Sequence, residues 1–69
     1  MKIEKFAEKN GITDCEIYYR EKEAIFYINP YEINVWNIIR DLEYFELKNV
    51  EINFANDKDD DYDVIKVRW

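Results

Sequence analysis

Apolar residues recur along this chain at two kinds of spacing, and the spacing changes where turn residues stand. Ile3, Phe6, Ala7 and Asn10 follow i, i+3, i+4, i+7. One face of a helix over 2–10 has that period, with Lys2, Glu4, Lys5, Glu8 and Lys9 around the rest. Asn10-Gly11 reads as its stop, because glycine enters the left-handed conformation without a Cβ clash. Alternation then takes over. Cys15, Ile17 and Tyr19 interleave with Glu16, Tyr18 and Arg20, which predicts a strand over 14–20. Arg20-Glu21-Lys22-Glu23 reads as a turn into a second strand over 23–28, whose core Ala24-Ile25-Phe26-Tyr27-Ile28 is apolar throughout. Such a run suits a central strand or one covered on both faces.

Asn29-Pro30-Tyr31-Glu32 has Asn at N-cap, Pro at N1 and Glu at N3, a helix start resembling a capping box. The helix is predicted over 30–47, ending near Lys48-Asn49. Val50, Ile52 and Phe54 alternate with Glu51, Asn53 and Ala55 as a third strand. Tyr62–Trp69 is the fourth, with Ile65, Val67 and Trp69 on one side and Val64, Lys66 and Arg68 on the other. The order α-β-β-α-β-β predicts an α+β fold over 1–69 as a single domain. It consists of a four-stranded antiparallel sheet of two hairpins, packed on one long helix, with a short N-terminal helix.

On the long helix, Tyr31, Val35, Ile38, Ile39, Leu42 and Phe45 form the expected core face. Ile33, Trp36, Tyr44 and Leu47 gather on the other side around Arg40. That second stripe reads either as the seat of the N-terminal helix or as an exposed anchor patch. Trp, Tyr and Arg are the residues most enriched among interface hot spots, and an exposed contiguous patch marks a partner or dimer surface.

Composition narrows the chemistry. The 69 residues contain no His, Ser or Gln, and only one Gly, one Pro and one Cys. Without His the commonest general base and metal ligand is missing, and one glycine makes no phosphate-cradling loop. Cys15 keeps phase with apolar neighbours, which reads as an inert structural thiol. Sixteen acids guarantee carboxylate pairs by chance, so none is assigned to acid–base work. The reading is a non-enzymatic chain with no cofactor and no metal. Met1–Lys5 lacks an apolar signal region, and no run approaches the roughly 18 apolar residues of a membrane span. The expected location is therefore cytoplasmic, with no membrane partner.

Charge supplies the functional hint. The net charge is −6, split −1 over residues 1–30 and −5 over 31–69, with nine acids against Lys48 and Lys58 in residues 41–63. Asp57, Asp59, Asp61 and Asp63 fall at positions 1, 3, 5 and 7 of a loop. Positions 6 and 12 of that frame, however, are Tyr62 and Arg68, where a calcium-binding EF-hand loop needs Gly and Glu. Two other readings stand: a solvated hairpin loop, or a partner-facing anionic surface. In the latter, Asp57, Asp59, Asp60, Asp61 and Asp63 join Asp41, Glu43 and Glu46, with Trp36, Arg40 and Tyr44 as accessory anchors. Such a surface is steered onto basic protein surfaces. A third surface, Tyr18, Arg20, Lys66 and Arg68 with Tyr27, has the look of a single-strand stacking platform. The net charge of −6 opposes phosphate binding there.

In size, in the acidic 41–63 stretch with its Asp57–Asp63 run, in residue usage typical of AT-rich coding, and in lacking catalytic residues, the chain resembles the small phage-encoded inhibitors of host defence, of anti-CRISPR and anti-restriction type. The resemblance implies an inhibitor acting as a nucleic-acid mimic, blocking a basic surface of a nucleic-acid-handling complex in a bacterial host cell. It transfers no site residue. The competing expectation is a small homodimer joined through the aromatic helix stripe.

Overall fold

The structure, a computed structural model, describes residues 2–55 and 61–69. Among them the chain runs α1 (Lys2–Lys9), β1 (Cys15–Tyr18), β2 (Glu23–Ile28), α2 (Val35–Tyr44), β3 (Lys48–Asn53) and β4 (Asp63–Arg68). The four strands form one antiparallel sheet in the order β1-β2-β4-β3. This is the expected α+β architecture. The unbroken apolar run Ala24–Ile28 lies on β2, a central strand between β1 and β4.

Alternation sorts the strands into two faces. Ala24, Phe26, Ile28, Ile65 and Val67 are buried in one cluster with Ile3, Phe6 and Ala7 of α1 and Val35, Ile38 and Leu42 of α2. Both helices therefore cover the same face. The Phe6 ring lies 5.4 Å from Phe26 and 5.6 Å from Phe45, which ties α1 to the sheet and to α2 together.

Both helices end in the same device. After α1, Ile12 N–H donates to Ala7 O at 2.9 Å and Gly11 N–H to Glu8 O at 3.1 Å, with Gly11 at φ +67°. After α2, Leu47 N–H donates to Leu42 O at 2.8 Å and Glu46 N–H to Glu43 O at 3.0 Å, with Glu46 at φ 59°. Each is a Schellman closure, whose following apolar residue, Ile12 or Leu47, drops into the core.

This closure corrects the long helix at its C-terminal end, since α2 stops four residues before Lys48. Its N-terminal end moves too. Asn29-Pro30-Tyr31-Glu32 makes one isolated turn, in which Asn29 Oδ1 accepts from Tyr31 N–H (2.9 Å) and Asn29 O accepts from Glu32 N–H (3.1 Å) and Ile33 N–H (3.0 Å). Asn34 is the true N-cap, its side chain accepting from Trp36 N–H at 3.0 Å. A cap of this type contributes about 1 kcal/mol. The 29–32 pattern met a competing cap one turn later, and the later one leads directly into Val35, Ile38 and Leu42. Tyr31, expected on the core face, is therefore 95% exposed. The third strand is also displaced. It spans Lys48–Asn53, with a register shift between Asn49 and Glu51. Val50 sits at that irregularity and is exposed, while Ile52 keeps its inward place opposite Ile65.

No described element covers the sheet's second face. Its register rows are Tyr18, Glu23, Arg68, Lys48, then Glu16, Ile25, Lys66, Glu51, then Tyr27, Val64, Asn53. At its centre Glu23 takes Arg68 by a hydrogen-bonded ion pair and Lys66 at 3.6 Å. The Arg68 hydrogen bond, helped by Lys66, holds the Glu23 carboxyl below its ordinary value. A depressed folded pKa contributes stability that is fully present above the unfolded value and is lost as pH falls through the folded one. Glu23→Gln is expected to flatten the acid limb. Urea midpoints of the parent and variant should differ at neutral pH and converge as pH drops below the carboxylate range.

Candidate functional site

Positions 36, 40 and 44 succeed one another at i+4, so Trp36, Arg40 and Tyr44 run along one side of α2. That side faces solvent. Trp36 is 63% and Tyr44 77% exposed, and Arg40 between them is exposed as well. Each ring is steadied at its edge. Trp36 lies 6.0 Å from the Phe54 ring, and Tyr44 packs edge-on to Phe45 at 5.3 Å with Lys9 Nζ 5.0 Å from its centroid. The stripe expected around Arg40 is thus divided. Leu47 is buried and Ile33 half-buried, while Trp36 and Tyr44 stand clear of α1, which docks on Phe45 instead.

The expected acidic surface does not hold together as one face. Asp41 is half-buried and takes Lys9 Nζ at 3.1 Å and Asn10 Nδ2 at 3.2 Å. Glu46 takes Lys2 at 3.3 Å. Asp63, expected as an outward contact, is 5% exposed, and its Oδ1 accepts the Ala55 N–H at 2.8 Å. Its register partner is the buried Ile28, so it points to the covered side of the sheet. Glu43 and Asp61 are exposed. Asp57, Asp59 and Asp60 lie outside the described residues, and the calcium reading of the loop rests on them. Among the described residues no three His, Cys, Asp or Glu side chains come together to hold a metal ion.

The stacking platform is likewise altered. Tyr18, Tyr27, Lys66 and Arg68 do share the open sheet face, but Glu23 engages both cations, and Glu16 accepts from Tyr18 (2.8 Å) and Tyr27 (3.4 Å). Arg20 lies in the turn after β1 rather than on that face. Cys15 is half-buried. Burial, and then the nearby Asp14 charge, push its thiol upward, the opposite of what an activated nucleophile requires.

Strand pairing builds a feature that the linear sequence hides. The end of the sheet where β1 begins and β2 ends gathers Asp14, Asn29, Tyr62 and Asp63, because Tyr27 N–H donates to Asp14 O and Ile28 pairs with Asp63. Two hollows flank the 29–34 turn there. One, of about 290 Å³, has Ile12, Asp14, Tyr27, Asn29 and Tyr62 in its wall. The other, of about 420 Å³, has Pro30, Tyr31, Trp36 and Asp63. Glu32 and Ile33 belong to both walls, and neither wall contains a Lys or Arg. The opposite end of the sheet carries Arg20, Lys22, Lys48 and Arg68, with Glu21 and Glu23.

None of the described helices is long and apolar enough to cross a membrane. Comparison with protein-family models, curated proteins and solved structures finds no match for the chain.

Proposed function

We propose that this chain is a non-catalytic protein-binding module that docks through the outward side of α2. The observation that carries this reading is the exposure of Trp36 and Tyr44 with Arg40 between them, on a helix whose other side is locked into the core. Aromatic rings on a rigid element contribute large contact area at small entropic cost, and such Trp, Tyr and Arg groups dominate binding energies. In its sharper form the module is an acidic inhibitor that occupies a basic nucleic-acid-binding surface, as the resemblance to anti-CRISPR and anti-restriction proteins implies. The net charge of −6 supports steering toward such a surface. With Asp41, Glu46 and Asp63 engaged internally, Trp36, Arg40 and Tyr44 become the anchors, and the free acids set the approach.

A photo-crosslinking residue placed at 36 or at 44, with 16 on the open sheet face as control, tests this in a bacterial lysate. One defined protein joined from 36 and 44 and not from 16 is the expected result. Equal labelling from all three positions, or none, removes the reading. Crosslinks between two copies of the chain, with a sedimenting dimer, would assign the ridge to self-association instead.

A further inference from the structure

Resting on the reading above, we propose that the two hollows beside the 29–34 turn receive cationic side chains, Lys or Arg, presented by a basic segment of the protein partner. Two kinds of group converge in these hollows, and both favour a cation. Asp14 and Glu32 are exposed carboxylates at the first hollow, and Glu32 serves the second as well. Tyr27 and Tyr62 wall the first, Tyr31 and Trp36 the second. An ammonium or guanidinium over an aromatic face is attracted by the ring quadrupole, and the attraction grows as water is excluded. A neighbouring carboxylate adds a charge-assisted hydrogen bond, bidentate for guanidinium.

Asp63 sharpens the second hollow. It is a carboxylate more than nine-tenths buried that lines this hollow, with Oδ1 held by Ala55 N–H. Among the described residues no donor reaches its other oxygen. Because neither wall contains a basic residue, no internal cation competes for the site. The described acids elsewhere are different: Asp41, Glu46 and Glu23 already hold Lys9, Lys2 and Arg68. Charge complementarity thus selects a basic segment over an acidic or neutral one. Trp36 belongs both to the second hollow and to the α2 ridge, so a partner seated on the ridge brings its side chains to the hollows without a gap.

The probe is a short capped peptide alternating Arg and Gly, titrated into isotopically labelled protein at low salt, with a citrulline-for-arginine peptide as control. Citrulline keeps the shape and removes the charge. Saturable shifts are expected at Asp14, Glu32, Tyr62 and the Trp36 indole, absent with the citrulline peptide. Asp14→Asn with Glu32→Gln should weaken binding by about tenfold or more, the loss of roughly one charged contact, and should leave the dispersed spectrum intact, because both side chains are exposed. Tyr62→Ala provides a second, uncharged variant and should weaken binding as well. Equal binding of the citrulline peptide overturns the proposal. So do shifts spread evenly over other exposed acids such as Glu8 and Glu43, or affinity unchanged in both variants. Shifts at these same residues on concentrating the protein alone would give the hollows to the basic end of a second copy, and would likewise overturn it. Failure of crosslinking from 36 and 44 with peptide binding intact would strike the docking reading and leave the hollows standing. The reverse result would strike the hollows alone.

Discussion

Phe26→Ala is expected to leave the chain unfolded, or nearly so, at room temperature. Phe26 is fully buried at the middle of the central strand β2, and its ring meets Phe6 of α1 at 5.4 Å. Truncating a buried phenylalanine costs about 3–5 kcal/mol, through lost transfer energy and the cavity left behind. A chain of 69 residues has a total stability of about 3–10 kcal/mol at the usual 0.05–0.15 kcal/mol per residue. The loss is therefore comparable to the whole. Collapse of amide dispersion in the variant's spectrum, or a urea midpoint driven close to zero, is the reading to look for. A variant whose midpoint scarcely moves would mean that the helices do not close over the sheet as described. Phe26→Leu, which retains most of the volume, should recover much of the lost stability.

Asp63→Ala should produce the second-largest effect, about 1–3 kcal/mol, because it strands the Ala55 N–H inside the protein without an acceptor. The bond spans eight residues and fastens the end of the β3–β4 connection back onto the start of β4. Asp63→Asn keeps a side-chain oxygen at the same place and should lose less. Amide exchange separates this mechanism from general destabilisation. Ala55 should exchange faster in Asp63→Ala than in any equally destabilised core variant. If instead the substitution is neutral, Asp63 is a surface acid, and the expectation drawn from the sequence was the better one.

That case shows how far the residues could be read alone. Ile65, Val67 and Trp69 were assigned to one side of the last strand, and strict alternation puts Asp63 on that same side. The parity rule therefore pointed inward, but the run of five aspartates between 57 and 63 pulled the reading toward solvent. A carboxylate goes inside only when a donor meets it, and Ala55 N–H is supplied by the return of the chain, which no local pattern discloses. The end of α2 is similar. Gly11 announced the first Schellman closure, because glycine is the usual occupant of a positive φ. Glu46 performs the same role at φ 59° and carries no such signature, so the helix was drawn too long. The i+4 ridge of Trp36, Arg40 and Tyr44 was legible. Its exposure was not, since that depended on whether α1 would lie over it.

What the sequence determined by itself is the element order, the identity of the central strand, the inward residues of β2 and β4, and the poverty of catalytic chemistry. All follow from period and composition, which are local properties of the chain. Only the tertiary structure decided which acids are free and which are engaged. It also decided where α1 docks, and that Asp14, Tyr27, Glu32 and Tyr62 meet at one end of the sheet. The reason is that ion pairing and cavity formation depend on distances between residues far apart in sequence. Strand register and helix docking set those distances, and no spacing along the chain encodes them.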